Sequence, residues 1–164
     1  MEETLAVRLG GPADIDDAVA VWRAASTARR GGRPIPAEHD ERIRRSARGP
    51  DAFLIVAADA GEVVGMALGQ QGLAADGAGP PLPGLCHVSA VFVAPERWGR
   101  GIGGRVVDSV LAEARSRGYD RVQLWTHADN TRARRLYEGR GFLPSGRELD
   151  DDLGERIVHY QRPL

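Results

Sequence analysis

Four of the six residues from 99 to 104 are glycine, in a stretch that reads VFVAPERWGRGIGGRVV over residues 91–107. No other feature limits the fold as much. Glycine inside a helix or strand costs conformational entropy, so such a cluster marks backbone that bends sharply or lets something approach closely. It lies between an apolar, strand-like run and a run with helical spacing. A glycine loop that feeds a helix N-terminus presents backbone N–H groups and the positive end of the helix dipole, which together suit an anion such as phosphate.

The pattern on either side supplies the elements. Residues 5–9 alternate weakly, as a first strand does. Pro12 then opens a helix that places Ile15, Ala18, Val19 and Trp22 on one face at i, i+3, i+4 and i+7. RRGGRP breaks it, and residues 36–47 form a second, mostly polar helix anchored by Ile43. Two strands follow around a tight turn at 59–62. Residues 72–84 are a loop by composition, and CHVSAVFVA, 86–94, is a strand. After the glycines comes a helix with Val106, Val107, Val110, Leu111 and Ala114 on one face, stopped by Gly118. DRVQLWT is another strand, and Asn130 caps a helix carrying Ala133, Leu136 and Tyr137. Residues 142–148 and 156–162 close the chain as a strand pair around an acidic stretch at 150–152. No internal repeat and no second domain is visible, so residues 1–164 read as one domain, long enough to bury a core. Early hairpins and a central strand–helix–strand unit predict a three-layer α/β fold.

Several function classes fall away. The net charge of −1 gives no support for nucleic-acid binding. All 22 basic residues are Arg. A single cysteine, Cys86, excludes an internal disulfide and a cysteine zinc cage, and it suits a reducing compartment. The N-terminus is acidic without a signal-peptide core, and no run approaches the roughly 18–20 apolar residues of a membrane span. A cytoplasmic protein is the expectation. Gly99, Gly101 and Gly104 satisfy G-x-G-x-x-G, yet a dinucleotide turn joins strand to glycine almost directly and ends the next strand on an acidic residue. Here PERW intervenes, and the next strand ends in LWTH. No G-K-[ST] follows, which removes the P-loop.

VFVAPERWGRGIGG resembles the acyl-CoA loop of the GCN5-related N-acetyltransferase (GNAT) superfamily: an apolar strand, V-x-P, then [Q/R]-x-x-G-x-G. Trp98 stands where that family usually has Gln or Arg. A second segment, NTRARRLYEGRGF at 130–142, is similar to the family's N-x-x-A-x-x-x-Y-x-x-x-G-F, in the right order with a strand between. The resemblance implies a GNAT-like three-layer α/β/α fold with a mixed, mostly antiparallel sheet of about seven strands and about four helices. It implies an acetyl-CoA-dependent N-acetyltransferase acting by direct attack of a primary amine in a ternary complex. A non-catalytic acyl-CoA-binding module of the same fold is the alternative.

The resemblance also implies roles. Backbone amides of Gly99, Arg100, Gly101, Ile102, Gly103 and Gly104 would hold the pyrophosphate of coenzyme A, with the Arg100 and Arg105 side chains adding charge. The backbone of Val91, Phe92 and Val93 would pair with the pantetheine arm and polarise the thioester carbonyl. Asn130 would cap its helix and hydrogen-bond the cofactor. Tyr137 would be the general acid that protonates the departing thiolate, against the plainer reading of a core aromatic with its hydroxyl bonded. Counting eight residues back from Pro95, where many relatives carry a Glu base, gives His87. His127, Ser89 and Cys86 are further candidates. No metal is implied. A small-molecule or peptide amine is the expected acceptor, with no nucleic-acid or membrane partner, and association as a homodimer stays open. The aspartates at 150–152 either attract a cationic amine or form a solvated turn.

Overall fold

A computed structural model of the chain describes residues 4–164. Among these residues seven strands hydrogen-bond in one mixed sheet: β1 (Leu5–Leu9), β2 (Phe53–Asp59), β3 (Glu62–Leu73), β4 (Pro81–Val93), β5 (Arg121–His127), β6 (Leu143–Asp150) and β7 (Arg156–Pro163), in the order β1-β2-β3-β4-β5-β7-β6. The β4–β5 pair is parallel, and β1–β2, β2–β3, β5–β7 and β6–β7 are antiparallel. Among the described residues there are four α-helices, α1 (Ile15–Arg29), α2 (Glu38–Ala47), α3 (Ile102–Ser116) and α4 (Thr131–Glu138). This is the expected α/β sandwich. No helix among the described residues is long and apolar enough to cross a membrane.

The chain packs as two compact units. One holds the described residues up to Gln70 with Ala90–Val110, the other Gln71–Ser89 with Leu111–Leu164.

In the first unit, α1 buries the stripe that the periodicity sets out: Ile15, Ala18, Val19 and Trp22 pack with Leu54, Val56, Met66 and Leu68 of β2 and β3. Ile43 of the polar helix α2 joins the edge of this cluster. Arg23 clamps α1 to α2, its Nε and Nη2 donating to Asp40 Oδ1 at 2.8 and 2.6 Å. The opposite face of β2 and β3 receives α3. A Cβ placed on Gly65 would lie 3.3 Å from Ile102 and 3.5 Å from Val106, so the bare glycine lets the start of α3 settle close to the sheet. The β2–β3 turn has positive φ at both central residues, Ala60 (50°) and Gly61 (86°), the type I′ geometry that matches strand twist. Between Ala57↔Gly65 and Ala58↔Val63 the register slips by one residue, Val64. Such a bulge leaves its extra residue outside the ladder. Here the Val64 carbonyl accepts from the N–H of Ala94, at 2.8 Å, where β4 ends and the glycine loop begins.

The ring of Phe53 lies across its strand partner Gly69. A Cβ there would sit 2.6 Å from Phe53 Cε1 and 2.9 Å from Cε2. Phe53 is buried and cannot swing out. Gly69→Ala is therefore expected to destabilise the fold by about 1–3 kcal/mol through overpacking, read as a fall in Tm of on the order of 2–4 °C per kcal/mol. An unchanged melting curve would contradict this packing.

In the second unit, β5 is flanked by β4 (Leu85–Val88 opposite Arg121–Leu124) and β7. α4 covers the face that carries Tyr160. Tyr137 of α4 makes a tilted contact with Tyr160 and meets Phe142 edge-on, centroids 6.4 and 5.8 Å apart. Arg134 Nε donates to the Tyr160 hydroxyl at 2.9 Å, and that hydroxyl donates to Glu138 at 3.0 Å. β6 lies at the sheet edge with all eight residues exposed. The expected loop at 72–84 is shorter than its composition predicts. Gly72 and Leu73 continue β3, and β4 starts at Pro81. Hydrogen bonds from Ala74 N to Pro80 O and Ala75 N to Ala78 O, both 2.9 Å, close a tight connection. Gln71 Nε2 reinforces it by donating to Leu82 O at 2.7 Å. Gly and Pro content therefore marks the turn and hides the strand ends beside it.

Candidate active site

The glycine loop belongs to the first unit. It is fixed at its base before any glycine is reached. Arg97, in the short 3-10 turn Pro95–Arg97, pairs with Asp59 at the β2–β3 turn, and Asp59 also accepts from Thr4. Trp98, exposed at the position where the motif departs from its family, turns its indole back so that Nε1–H donates to Val93 O at 2.8 Å. That contact ties the loop to the strand it leaves.

Gly99 and Gly101 have φ of 78° and 79°, conformations that other residues adopt only at a cost, and a Cβ on either would meet nothing within 4 Å. Steric crowding is thus not what selects glycine here; the backbone turn is. Successive backbone amides around positive-φ residues are the kind of backbone from which anion nests are made. Ile102 begins α3 and is buried. The first intrahelical bond across this junction is Arg105 N to Gly101 O, 3.3 Å. Ala90 and Phe92 pack on the α1 side of the sheet.

The remaining expected site residues belong to the second unit. Asn130 caps α4, its Oδ1 accepting from Ala133 N at 3.1 Å. Tyr137 is 5% exposed. No hydrogen bond joins its hydroxyl to another described side chain, unlike the bonded core tyrosine that burial alone predicts. Burial pushes the phenol above its ordinary value of 10, because desolvation disfavours phenolate.

His87, half-buried on β4, faces Gln123, its register partner on β5. His87 Nδ1 lies 3.2 Å from Gln123 Nε2; Gln123 Oε1 lies 2.9 Å from His159 Nε2; His159 Nδ1 lies 2.7 Å from Ser145 Oγ. Burial lowers the pKa of His87, helped by His159 and opposed by the carboxylate of Asp76. His159 is lowered by burial and then by Arg147, again opposed by Asp76. Asp76 pairs with Arg147, whose guanidinium lies over the Trp125 ring, 5.2 Å from its centroid. Neither Gln123, His159 nor Ser145 is singled out by the motifs. The available signal is a polar residue inside an apolar alternation, in RVQLWT and in IVHY.

His127 is committed elsewhere, its Nε2 3.1 Å from Asp151 Oδ2 and 3.7 Å from Glu155 Oε2. Asp151 accepts from the backbone N–H of Leu153 and Glu155. Burial raises its pKa, but these bonds and His127 outweigh that, and the net direction is down. Within the acidic stretch Asp151 thus organises the β6–β7 turn. Cys86 lies in the core.

Comparison with known proteins gives consistent matches. The model of the Acetyltransferase (GNAT) family matches residues 18–142. Mycothiol acetyltransferase of Clavibacter sepedonicus is 34% identical over 130 residues, 79% of this chain and 40% of that protein. Mycothiol acetyltransferase of Thermobispora bispora is 40% identical over 91 residues, 56% of this chain and 30% of that protein. The chain thus spans less than half the length of these curated relatives. Among solved structures, the ribosomal-protein-S18-alanine N-acetyltransferase of Escherichia coli superposes with a TM-score of 0.75 at 17% identity, covering 97% of this chain and 93% of that one. A putative acetyltransferase of Salmonella typhimurium, solved with acetyl-CoA, gives 0.76 at 18% identity, covering 98% and 94%. At these identities the structural likeness speaks to the fold.

Proposed function

The chain belongs to the Acetyltransferase (GNAT) family, and on that premise we propose that it transfers the acetyl group of acetyl-CoA to a primary amine by direct attack in a ternary complex. The observation that carries this reading is the loop that starts α3, with glycines at positive φ and open space where side chains would stand. A diphosphate is the anion such a loop fits, because it needs several donors and no bulk. Val91 and Phe92 offer strand backbone to the pantetheine amides. The Val93 carbonyl accepts from Trp98, and its N–H is the group assigned to polarise the thioester carbonyl. Asn130 uses Oδ1 for its cap, so its amide hydrogens are the group left for the cofactor arm.

In the proposed step the neutral amine attacks the thioester carbonyl carbon. The C–S bond of the tetrahedral intermediate breaks, and the Tyr137 hydroxyl gives its proton to the sulfur. The amine's own proton passes to His87, directly or through water. A half-buried imidazole whose pKa desolvation lowers suits that task at neutral pH.

The mycothiol acetyltransferase relatives favour a small-molecule acceptor over a peptide. A cytoplasmic setting goes with this reading. The test is free-thiol release from acetyl-CoA across a panel of amines: amino sugars, amino acids, polyamines and peptide N-termini. Turnover on a small amine is the expected result. Calorimetric binding of acetyl-CoA with no turnover on any class would identify a non-catalytic acyl-CoA-binding module instead.

A further inference from the structure

One side-chain amide, Gln123, stands between two imidazoles. It is 6% exposed and His159 is 3% exposed, so water does not substitute freely for either partner. An amide has one accepting end and one donating end, and a neutral imidazole has one nitrogen of each kind. Buried polar groups of this kind are costly when left unpaired. Only two fully bonded arrangements of the Ser145–His159–Gln123–His87 row therefore exist.

In the first, Ser145 O–H donates to His159 Nδ1, His159 Nε2–H donates to Gln123 Oε1, and Gln123 Nε2–H donates to His87 Nδ1. Both imidazoles then carry their proton on Nε2. In the second the amide is turned over and every bond reverses. His87 Nδ1–H donates to Gln123 Oε1, Gln123 Nε2–H donates to His159 Nε2, and His159 Nδ1–H donates to Ser145 Oγ. Both imidazoles then carry their proton on Nδ1. Ser145 Oγ accommodates either, because it accepts from Arg147 N at 3.2 Å and keeps a second lone pair.

Charge sharpens the constraint. A charged His87 must donate from Nδ1 and needs the amide oxygen. A charged His159 must donate from Nε2 and needs the same oxygen. We propose that Gln123 is a positioning residue whose single amide makes His87 and His159 keep the same tautomer and lets only one of them carry charge at a time. The other groups facing the row are Asp76 from the 74–80 turn, which favours charge on either ring, and Arg147 from β6, which disfavours it on His159.

This inference rests on the reading of His87 as base, and it says when His87 is able to act. Only the second arrangement leaves Nε2 of His87 with a free lone pair. An amine proton arriving at that atom gives an imidazolium whose Nδ1–H is already held by Gln123 Oε1. Protonation of His159 locks the first arrangement and closes Nε2 of His87 as an acceptor.

The test is nitrogen NMR of the intact protein with isotope-labelled histidine, read over a pH titration. The wild type is expected to show the same tautomer at His87 and His159, with one ring charging first and the other only at clearly lower pH. Opposite tautomers, or two independent titrations, would overturn the proposal without any variant. Gln123→Glu replaces the donating end by a second acceptor, so both rings can charge together, and both midpoints should rise by about one pH unit or more, the size of one charged hydrogen bond. Unmoved midpoints in a folded Gln123→Glu protein also count against it. The acid limb of kcat/KM should move upward by the same amount as the His87 midpoint. If the NMR behaves as expected while His87→Ala keeps the wild-type acid limb, the row stands and the reading of His87 as base falls.

Discussion

Tyr137→Phe is expected to lower kcat by about 10²–10⁴-fold, the range for loss of a positioned general acid, with little change in acetyl-CoA affinity. The substitution removes one oxygen and keeps the ring, so the edge-on contact with Phe142 and the tilted contact with Tyr160 persist. No hydrogen bond to another described side chain is lost with the oxygen, and the melting temperature should hold. Steady-state kinetics with a melting curve checks both halves. A folded variant with full kcat would remove Tyr137 from the mechanism. The sign of the pH effect follows from burial. A phenol whose folded-state pKa lies above 10 keeps its proton through the neutral range, so Tyr137 should not produce an alkaline limb there. Above pH 10 the unfolded chain loses that proton first, and stability should fall as pH rises.

Gly101→Asp is the second large effect, and Gly101→Asn is its control. Gly101 has φ 79°, and both Asn and Asp tolerate this region better than other side chains. The pair therefore shares whatever strain arises and differs in charge. A like-charge repulsion of about 4 kcal/mol at 4 Å sets a ceiling near a thousandfold in Kd. The exposure of this loop to solvent brings the expected loss nearer tenfold. Calorimetry at two salt concentrations gives the reading, since the penalty of Asp relative to Asn should shrink as salt rises. Equal affinities for the two variants would show that no anion sits at this loop.

Most of the architecture is legible in the sequence because it rests on short-range patterns. The 3.6-residue spacing of Ile15, Val19 and Trp22, the turn at 59–62 and the Asn130 cap each follow from local physics, and the structure holds each of them. Glycines 99 and 101 are legible for a different reason: a left-handed backbone leaves few alternatives to that residue. The 72–84 segment misleads because Gly and Pro content reports flexibility while a non-local bond from Gln71 fixes the strand ends. The bridge from His87 to Ser145 is invisible for the same kind of reason. It spans four strands, and no spacing along the chain encodes which polar side chains face one another across β4, β5, β7 and β6.

The ion pairs that brace the first unit, Arg23 with Asp40 and Arg97 with Asp59, have one further property. All 22 basic side chains of this protein are guanidinium groups; no lysine is present. A thioester donor acylates amines, and an acetylated lysine loses the charge that its ion pair needs. A guanidinium stays protonated at any working pH and is no nucleophile. Braces of this kind do not wear under prolonged contact with an activated acyl group. The protein's own framework is, in that sense, invisible to the chemistry its family carries out.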